Sequence, residues 1–199
     1  MTNELYFDIL FEKFNESKRI ELQNGLNVIY GESGAGKTEL INSLLGNKIS
    51  HSKNFSILKK NISENVQLIF QNPENQIVCP NILSELSFGL ESRAKLNDLK
   101  KELCEMKSYL PFVNDWSRHP NTLSGGEMEM LNIVTGISSP SDIVFIDDGL
   151  SYLNTSTKKH WVEWMIKKYH SKIILWFTSD HTDLIYGKTK WLLSLSSLH

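Results

Sequence analysis

Residues 31–38 read Gly-Glu-Ser-Gly-Ala-Gly-Lys-Thr, a full match to the spacing G-x-x-x-x-G-K-[ST]. The chemistry of such a run is the capture of a phosphate chain. Gly31, Gly34 and Gly36, with Ala35 between the last two, let successive backbone N–H groups curl round a phosphate without side-chain obstruction. Lys37 supplies a mobile cation to the terminal phosphates, and Thr38 presents a hydroxyl to Mg²⁺. An apolar strand over 26–30 precedes the loop. A helix that begins near Lys37 adds its positive end from the other side. The expected ligand is a nucleoside triphosphate; the loop names neither the base nor what binding drives.

Other residues extend this chemistry. Asp147 ends the apolar strand Ile143–Ile146, and a carboxylate at the tip of a strand beside the loop strand stands where Mg²⁺ needs an acidic partner. Gln71 closes a second apolar run, Val66–Phe70, where its amide oxygen would join the metal sphere or orient water. Residues 123–127 read Leu-Ser-Gly-Gly-Glu at the start of a helix. A hydroxyl, bare N–H groups and the helix dipole there make a second anion-binding turn. One triphosphate does not need two such turns, so the second points to a phosphate held by another copy.

These groups work only if strand ends bring them together. Strand character falls on 4–14, 19–23, 26–30, 66–70, 143–146 and 173–177, and helix character on 38–45, 81–110, 125–137 and 155–169. Alternating strands and helices predict a mainly parallel sheet covered on both faces. The stretch from about 73 to 130 interrupts the alternation and reads as an inserted helical lobe. The helix over 155–169 sets Trp161, Trp164, Met165 and Tyr169 on one face, a core-facing stripe backed by a solvated basic face. A chain of 199 residues, 40% hydrophobic and 22% charged, suits one domain with a packed core. Its 21 basic and 23 acidic side chains give a net charge of −2, without the surplus of Lys and Arg that a duplex binder needs. No nucleic-acid partner is expected. Cys79 and Cys104 have neither disulfide-framework nor metal-site spacing. The N-terminal stretch scatters charges among its apolar residues, unlike a signal peptide or a membrane span, and no run of 18 apolar residues occurs. Work at a membrane would therefore go through a partner.

The loop at 31–38, Gln71, LSGGE at 123–127 and the strand ending in Asp147, in that order, resemble the ATP-binding cassette (ABC) ATPases over essentially the whole chain. VQLIFQNPENQIV at 66–78, followed by LSELSFGL at 83–90, is similar in wording to the ATP-binding subunits of energy-coupling-factor importers. The resemblance implies an α/β P-loop NTPase fold. It has a mainly parallel RecA-like sheet, a small N-terminal antiparallel β element and an α-helical subdomain inserted at about 73–130, in one nucleotide-binding domain over 1–199. It implies ATP and Mg²⁺ as cofactors and hydrolysis as the activity. Two cassettes would pack head to tail, as homodimer or heterodimer, on an integral membrane transport subunit at the cytoplasmic face. Ser33 to Thr38 would hold the phosphates, while Thr38, Gln71 and Asp147 would serve the metal. Ser124, Gly125, Gly126 and Glu127 would reach the γ-phosphate bound by the partner. Phe11 or Phe14 would stack on adenine, Phe14 being the position taken here. The region after Gln71 and the helical lobe would receive the membrane partner.

The sequence departs from that family where water is activated. Asp148 stands where a Glu usually polarises the attacking water; it is one methylene shorter, which retracts the carboxylate by about 1.5 Å. Asn154 stands where a loop Asp is usual. Ser179 aligns with the usual γ-phosphate His, and His181, two residues on, reaches that place only through a rearranged loop. Met128-Glu129-Met130 replace basic or amide-bearing residues, and the two methionines read as lobe packing or a soft contact surface. Lys37, Gln71 and Asp148 are the candidate catalytic set. The expectation is Mg-ATP binding with slow hydrolysis at this chain's own loop. The intact LSGGE would complete a competent site on another subunit, and the chain's length leaves no room for a regulatory tail. A soluble nucleotide-dependent sensor with little turnover is the alternative. A chromosome- or repair-type ATPase is disfavoured, because only about 50 residues separate Gln71 from Leu123, with no sustained heptads.

Overall fold

In the computed structural model, residues 5–12, 15–46, 55–62, 65–88 and 104–194 are described. The elements in chain order are β1 (Leu5–Phe11), β2 (Glu16–Leu22), β3 (Gly25–Tyr30), α1 (Lys37–Leu45), β4 (Phe55–Asn61), β5 (Val66–Ile69), α2 (Ile82–Phe88), α3 (Gly125–Ile137), β6 (Ile143–Asp147), α4 (Thr155–Lys168), β7 (Ile173–Thr178) and β8 (Thr189–Leu192). Residues 104–108 form a further helical segment, and short 3₁₀ turns lie at Pro73–Asn75, Pro120–Thr122 and His181–Tyr186.

Five strands, in the order β5-β6-β7-β3-β8, form a sheet whose ladders are all parallel. Its strands alternate between two apolar layers. Ile143 and Phe145 of β6, with Ile173, Leu175 and Phe177 of β7, face α1 and a second, antiparallel sheet. Val144 and Ile146, with Ile174 and Trp176, face the layer that holds α2, α3 and α4. A strand buried on both faces reads as an unbroken apolar run, which is why β3, β6 and β7 were visible in the sequence. Inside β3, Asn27 is fully buried yet satisfied. Its Nδ2 donates to Gln23 O, Gly25 O and Ile174 O, and its Oδ1 accepts from Thr189 Oγ1 and Gln23 N. That one amide fixes where β7 and β8 meet β3.

The antiparallel sheet has the order β2-β1-β4. Phe7, Ile9, Phe11, Ile20 and Phe55 point to the core, while Lys18, Arg19, Lys59 and Lys60 line the two outer strands. The sequence pattern missed β4, because Phe55–Asn61 alternates for only three residues before its exposed Lys-Lys-Asn. It also missed β8, a four-residue strand that alternates half-buried and exposed residues. The first strand ends at Phe11 rather than at residue 14. Of the helix expected over 81–110, α2 and 104–108 lie within the described residues; the span between them lies outside.

The stripe on α4 packs inward as its spacing implies. Trp161 and Met165 are buried, and Trp164 sits against Trp161, Tyr169 and Tyr109 at ring-centroid distances of 5.1, 5.5 and 4.6 Å. Met128 is likewise buried in the core. On α3, Gly136 meets β5 so closely that a Cβ there would lie 2.6 Å from Ile69 Cγ1. The helix rests on the strand that leads to Gln71.

Candidate active site

The carboxyl ends of neighbouring parallel strands converge, as ligand crevices of open α/β sheets do. Gln71 follows β5, Asp147 and Asp148 end β6, Ser179 follows β7, and the loop from Gly31 follows β3. Ser33, Gly34, Gly36, Lys37, Thr38, Glu39, Gln71, Asp147 and Asp148 line one cleft of ≈ 280 Å³. Gly34 and Gly36 have φ of 81° and 93°, a left-handed backbone that side chains disfavour, and space is open beyond Gly34. Lys37 is buried and folds over its own loop, its Nζ donating to Gly31 O at 2.7 Å and Glu32 O at 3.2 Å.

Thr38 Oγ1 donates to Asp147 Oδ2 at 3.0 Å. Burial pushes the Asp147 carboxyl above its usual range. The Asp148 charge pushes the same way, while the Thr38 hydroxyl and the Lys37 ammonium pull it down. A hydroxyl beside a carboxylate is a hard-oxygen donor set of the kind Mg²⁺ accepts. Among the described residues no group of three or more His, Cys, Asp or Glu could form an all-protein metal cage. Thr38 and Asp147 fit Mg²⁺ as hard-oxygen donors, with Gln71 in the same cleft.

Asp148 is already engaged. Its Oδ1 accepts from Ser179 N at 2.9 Å, its Oδ2 accepts from the Ser179 hydroxyl, and Gln71 Nε2 lies 3.4 Å from Oδ2. Its backbone N donates to Phe177 O at 2.8 Å, and its φ of 50° turns the chain off the sheet. Asp tolerates that left-handed conformation better than longer residues do. His181 does not enter the cleft lining; it opens a 3₁₀ turn that Asp180 caps, and it packs edge-on against Tyr30, centroids 5.3 Å apart.

The turn at 123–127 starts α3 with a capping box. Ser124 N and Ser124 Oγ both donate to Glu127 Oε2 at 2.8 Å, and Glu127 N lies 3.4 Å from Ser124 Oγ. The Ser124 hydroxyl, expected to face an anion, is thus turned to a carboxylate of its own helix. Gly125 and Gly126 sit against Tyr152 and Leu153.

The two aromatics named for adenine stacking part ways. Phe11 is only 2% exposed and packs edge-on against Phe55, so it cannot stack on an adenine. Phe14 lies outside the described residues. One residue was given no role from the sequence: Glu129 is 2% exposed and accepts from Ser151 N and Tyr152 N, each at 3.0 Å. The signal was an acid in the apolar run Met128–Leu131, on the face of a helix that must be buried.

The fold and site define a P-loop nucleotide-binding class, and comparison with known proteins carries this to a family. The family described as ABC transporter matches residues 20–151. Energy-coupling factor transporter ATP-binding protein EcfA1 of Fusobacterium nucleatum is 33% identical over 180 residues, covering 83% of this chain and 67% of the relative. EcfA1 of Staphylococcus aureus is 25% identical over 167 residues, 76% of this chain and 61% of the relative. A putative ABC transporter ATP-binding protein of Bacillus cereus is 26% identical over 164 residues, 76% of this chain and 30% of the relative. The chain therefore spans between 30% and 67% of the length of these relatives. A solved structure of CbiO1 from Clostridium perfringens, part of the ABC transporter complex CbiONQ, superposes with a TM-score of 0.73 at 14% identity, covering 99% of this chain and 88% of that one. The chain belongs to the ABC transporter family.

Proposed function

We propose that this chain is the ATP-binding subunit of a membrane importer. It binds Mg-ATP through Ser33 to Thr38 and Asp147, and hydrolyses it slowly at its own loop. The observation that carries the reading is the shared cleft in which Thr38 Oγ1 meets Asp147 while Gln71 and Asp148 face the same space. Binding groups are in place there. The carboxylate that would polarise water is short and held by Ser179. A 1 Å misplacement of such a group costs on the order of 100-fold in rate. When bound, Mg²⁺ would neutralise developing charge on the terminal phosphates.

Residues 1–199 form one nucleotide-binding domain in this reading, with the helical subdomain inserted at about 73–130. A second cassette, identical or not, lays its LSGG turn against this chain's nucleotide, and Ser124 to Glu127 face the partner's. The membrane subunit docks on the region after Gln71 and the helical lobe, where Val78, Leu83 and Phe88 each expose an apolar side chain that a protein contact would cover. The subunit lies at the cytoplasmic face. Among the described residues no helix is long and apolar enough to cross a membrane, and the importer assignment leans on the EcfA1 relatives and the CbiO1 fold.

Steady-state turnover of the purified chain, alone and with its partners, tests this. Slow turnover alone, raised by a second cassette and copurifying with an integral membrane protein, supports it. Fast turnover alone that Lys37→Ala abolishes would sink the weak-site part. The engaged Asp148 also favours a second reading, a sensor that dimerises on ATP and stops; dimerisation without turnover in any assembly would select it.

A further inference from the structure

Between β6 and α4 the chain crosses from Asp148 to Asn154, and three features tie this crossing down. Leu150 is fully buried at a φ of 72°, a left-handed conformation that a branched side chain adopts only when its surroundings impose it. On the sheet side, the Trp176 indole N–H donates to Gly149 O at 3.2 Å. On the helix side, Glu129 of α3 accepts from Ser151 N and Tyr152 N, one oxygen to each. The crossing begins at the water-facing Asp148. It ends against the other phosphate-facing turn, where Tyr152 lies over Gly125, and Leu153 and the Tyr152 carbonyl lie over Gly126. Glu129 sits two residues past Glu127, so one side chain grips the crossing from within the first turns of the helix that carries Ser124.

We propose that Glu129 is a positioning residue that locks the 149–154 crossing to α3, so that Asp148 and the Ser124–Gly126 turn move as one body. Glu129 is not among the residues that line the cleft and acts through the crossing. This deepens the functional reading above and rests on it only for the consequence in turnover.

The lock depends on charge. Both carboxylate oxygens accept an N–H only while Glu129 is ionised; the protonated acid turns one oxygen into a donor. Burial raises its pKa to about 7, while the N–H groups of Leu150, Ser151 and Tyr152 and the Lys158 charge on α4 pull it down. Lys158 is itself shared with Asp180 and Asp183, at 2.9 and 3.1 Å. Near neutral pH the crossing therefore passes from firmly held, above that pKa, to loosened below it.

The first measurement follows the ¹⁵N amide shifts of Ser151 and Tyr152 in the full chain from roughly pH 5.5 to 8.5. Both should titrate together, with a midpoint near 7, and stay flat in Glu129→Gln. The second is the pH profile of turnover in the assembled ATPase. Wild type should lose several-fold on the acid side, and Glu129→Gln should sit near that low level at every pH. Affinity for an ATP analogue should remain within about twofold. Amide shifts that stay flat in wild type, or a variant whose turnover falls in parallel with wild type at every pH, would overturn the proposal. Should the variant fail to fold, the wild-type titration decides by itself. A chain that binds no ATP would defeat the functional reading but leave the amide titration to stand or fall alone.

Discussion

Two turns in this molecule have nearly the same ingredients: small residues, a serine and the start of a helix. The loop at 31–38 is open. Gly34 has free space beyond it, and Lys37 lays a positive charge across the backbone. The turn at 123–127 is closed. Glu127 takes both the amide and the hydroxyl of Ser124, which sets a carboxylate at the turn that the proposed function turns toward a phosphate. In the proposed function the first holds this chain's own nucleotide. The second satisfies itself through its capping box, and in the proposed function it meets only a phosphate that another subunit holds.

The largest effect should come from the open loop. Lys37→Ala removes a charge-assisted contact of about 1.5–3 kcal/mol, and affinity for a fluorescent ATP analogue should fall on the order of 10- to 100-fold. An affinity loss as large in Ser124→Ala would erase the distinction between the turns. Next comes the seat of the closed turn. Gly136→Ala drives a methyl into Ile69 and should cost about 1–3 kcal/mol in denaturant unfolding. Unchanged stability would mean that α3 slides freely on β5.

Smaller effects refine the comparison. Asp148→Glu should raise turnover about tenfold if reach alone limits it, less whatever a longer side chain costs at a positive φ. No rise would shift the defect to Ser179, whose bonds hold the carboxylate aside. Glu127→Gln removes the charge from the closed turn. Relief of repulsion of about 1 kcal/mol should tighten ATP-driven dimerisation roughly fivefold, read by sedimentation, without changing ATP affinity of the monomer. Weaker dimerisation would show that the carboxylate serves the contact.

Much of this was legible beforehand, for a physical reason. Strands buried on both faces and a glycine-rich loop each leave a local signature, so β3, β6, β7, Lys37, Thr38 and Asp147 could be read directly. What escaped was set by distant partners. The Phe11 side chain looked available until β4 put Phe55 against it, and β4 itself alternates too briefly to announce a strand. Glu129 looked like one polar residue among methionines until the crossing at 149–154 gave it two N–H groups. The hold of Ser179 on Asp148 joins residues 31 apart in sequence, through strands that are neighbours only in the sheet.

The antiparallel sheet has one more consequence. Among the described residues its outer strands β2 and β4 each pair on one side only, and an open strand edge is a template for stacking more chains into aggregates. Lys18 on β2 and Lys59 on β4 place a cation on each border, while Arg19 is paired with Asp8 and the Lys60 ammonium donates to Leu44 O. Copies meeting border to border repel each other, which deters fibrous growth. Concentrated preparations should therefore stay clear at low salt and turn cloudy when salt screens those cations.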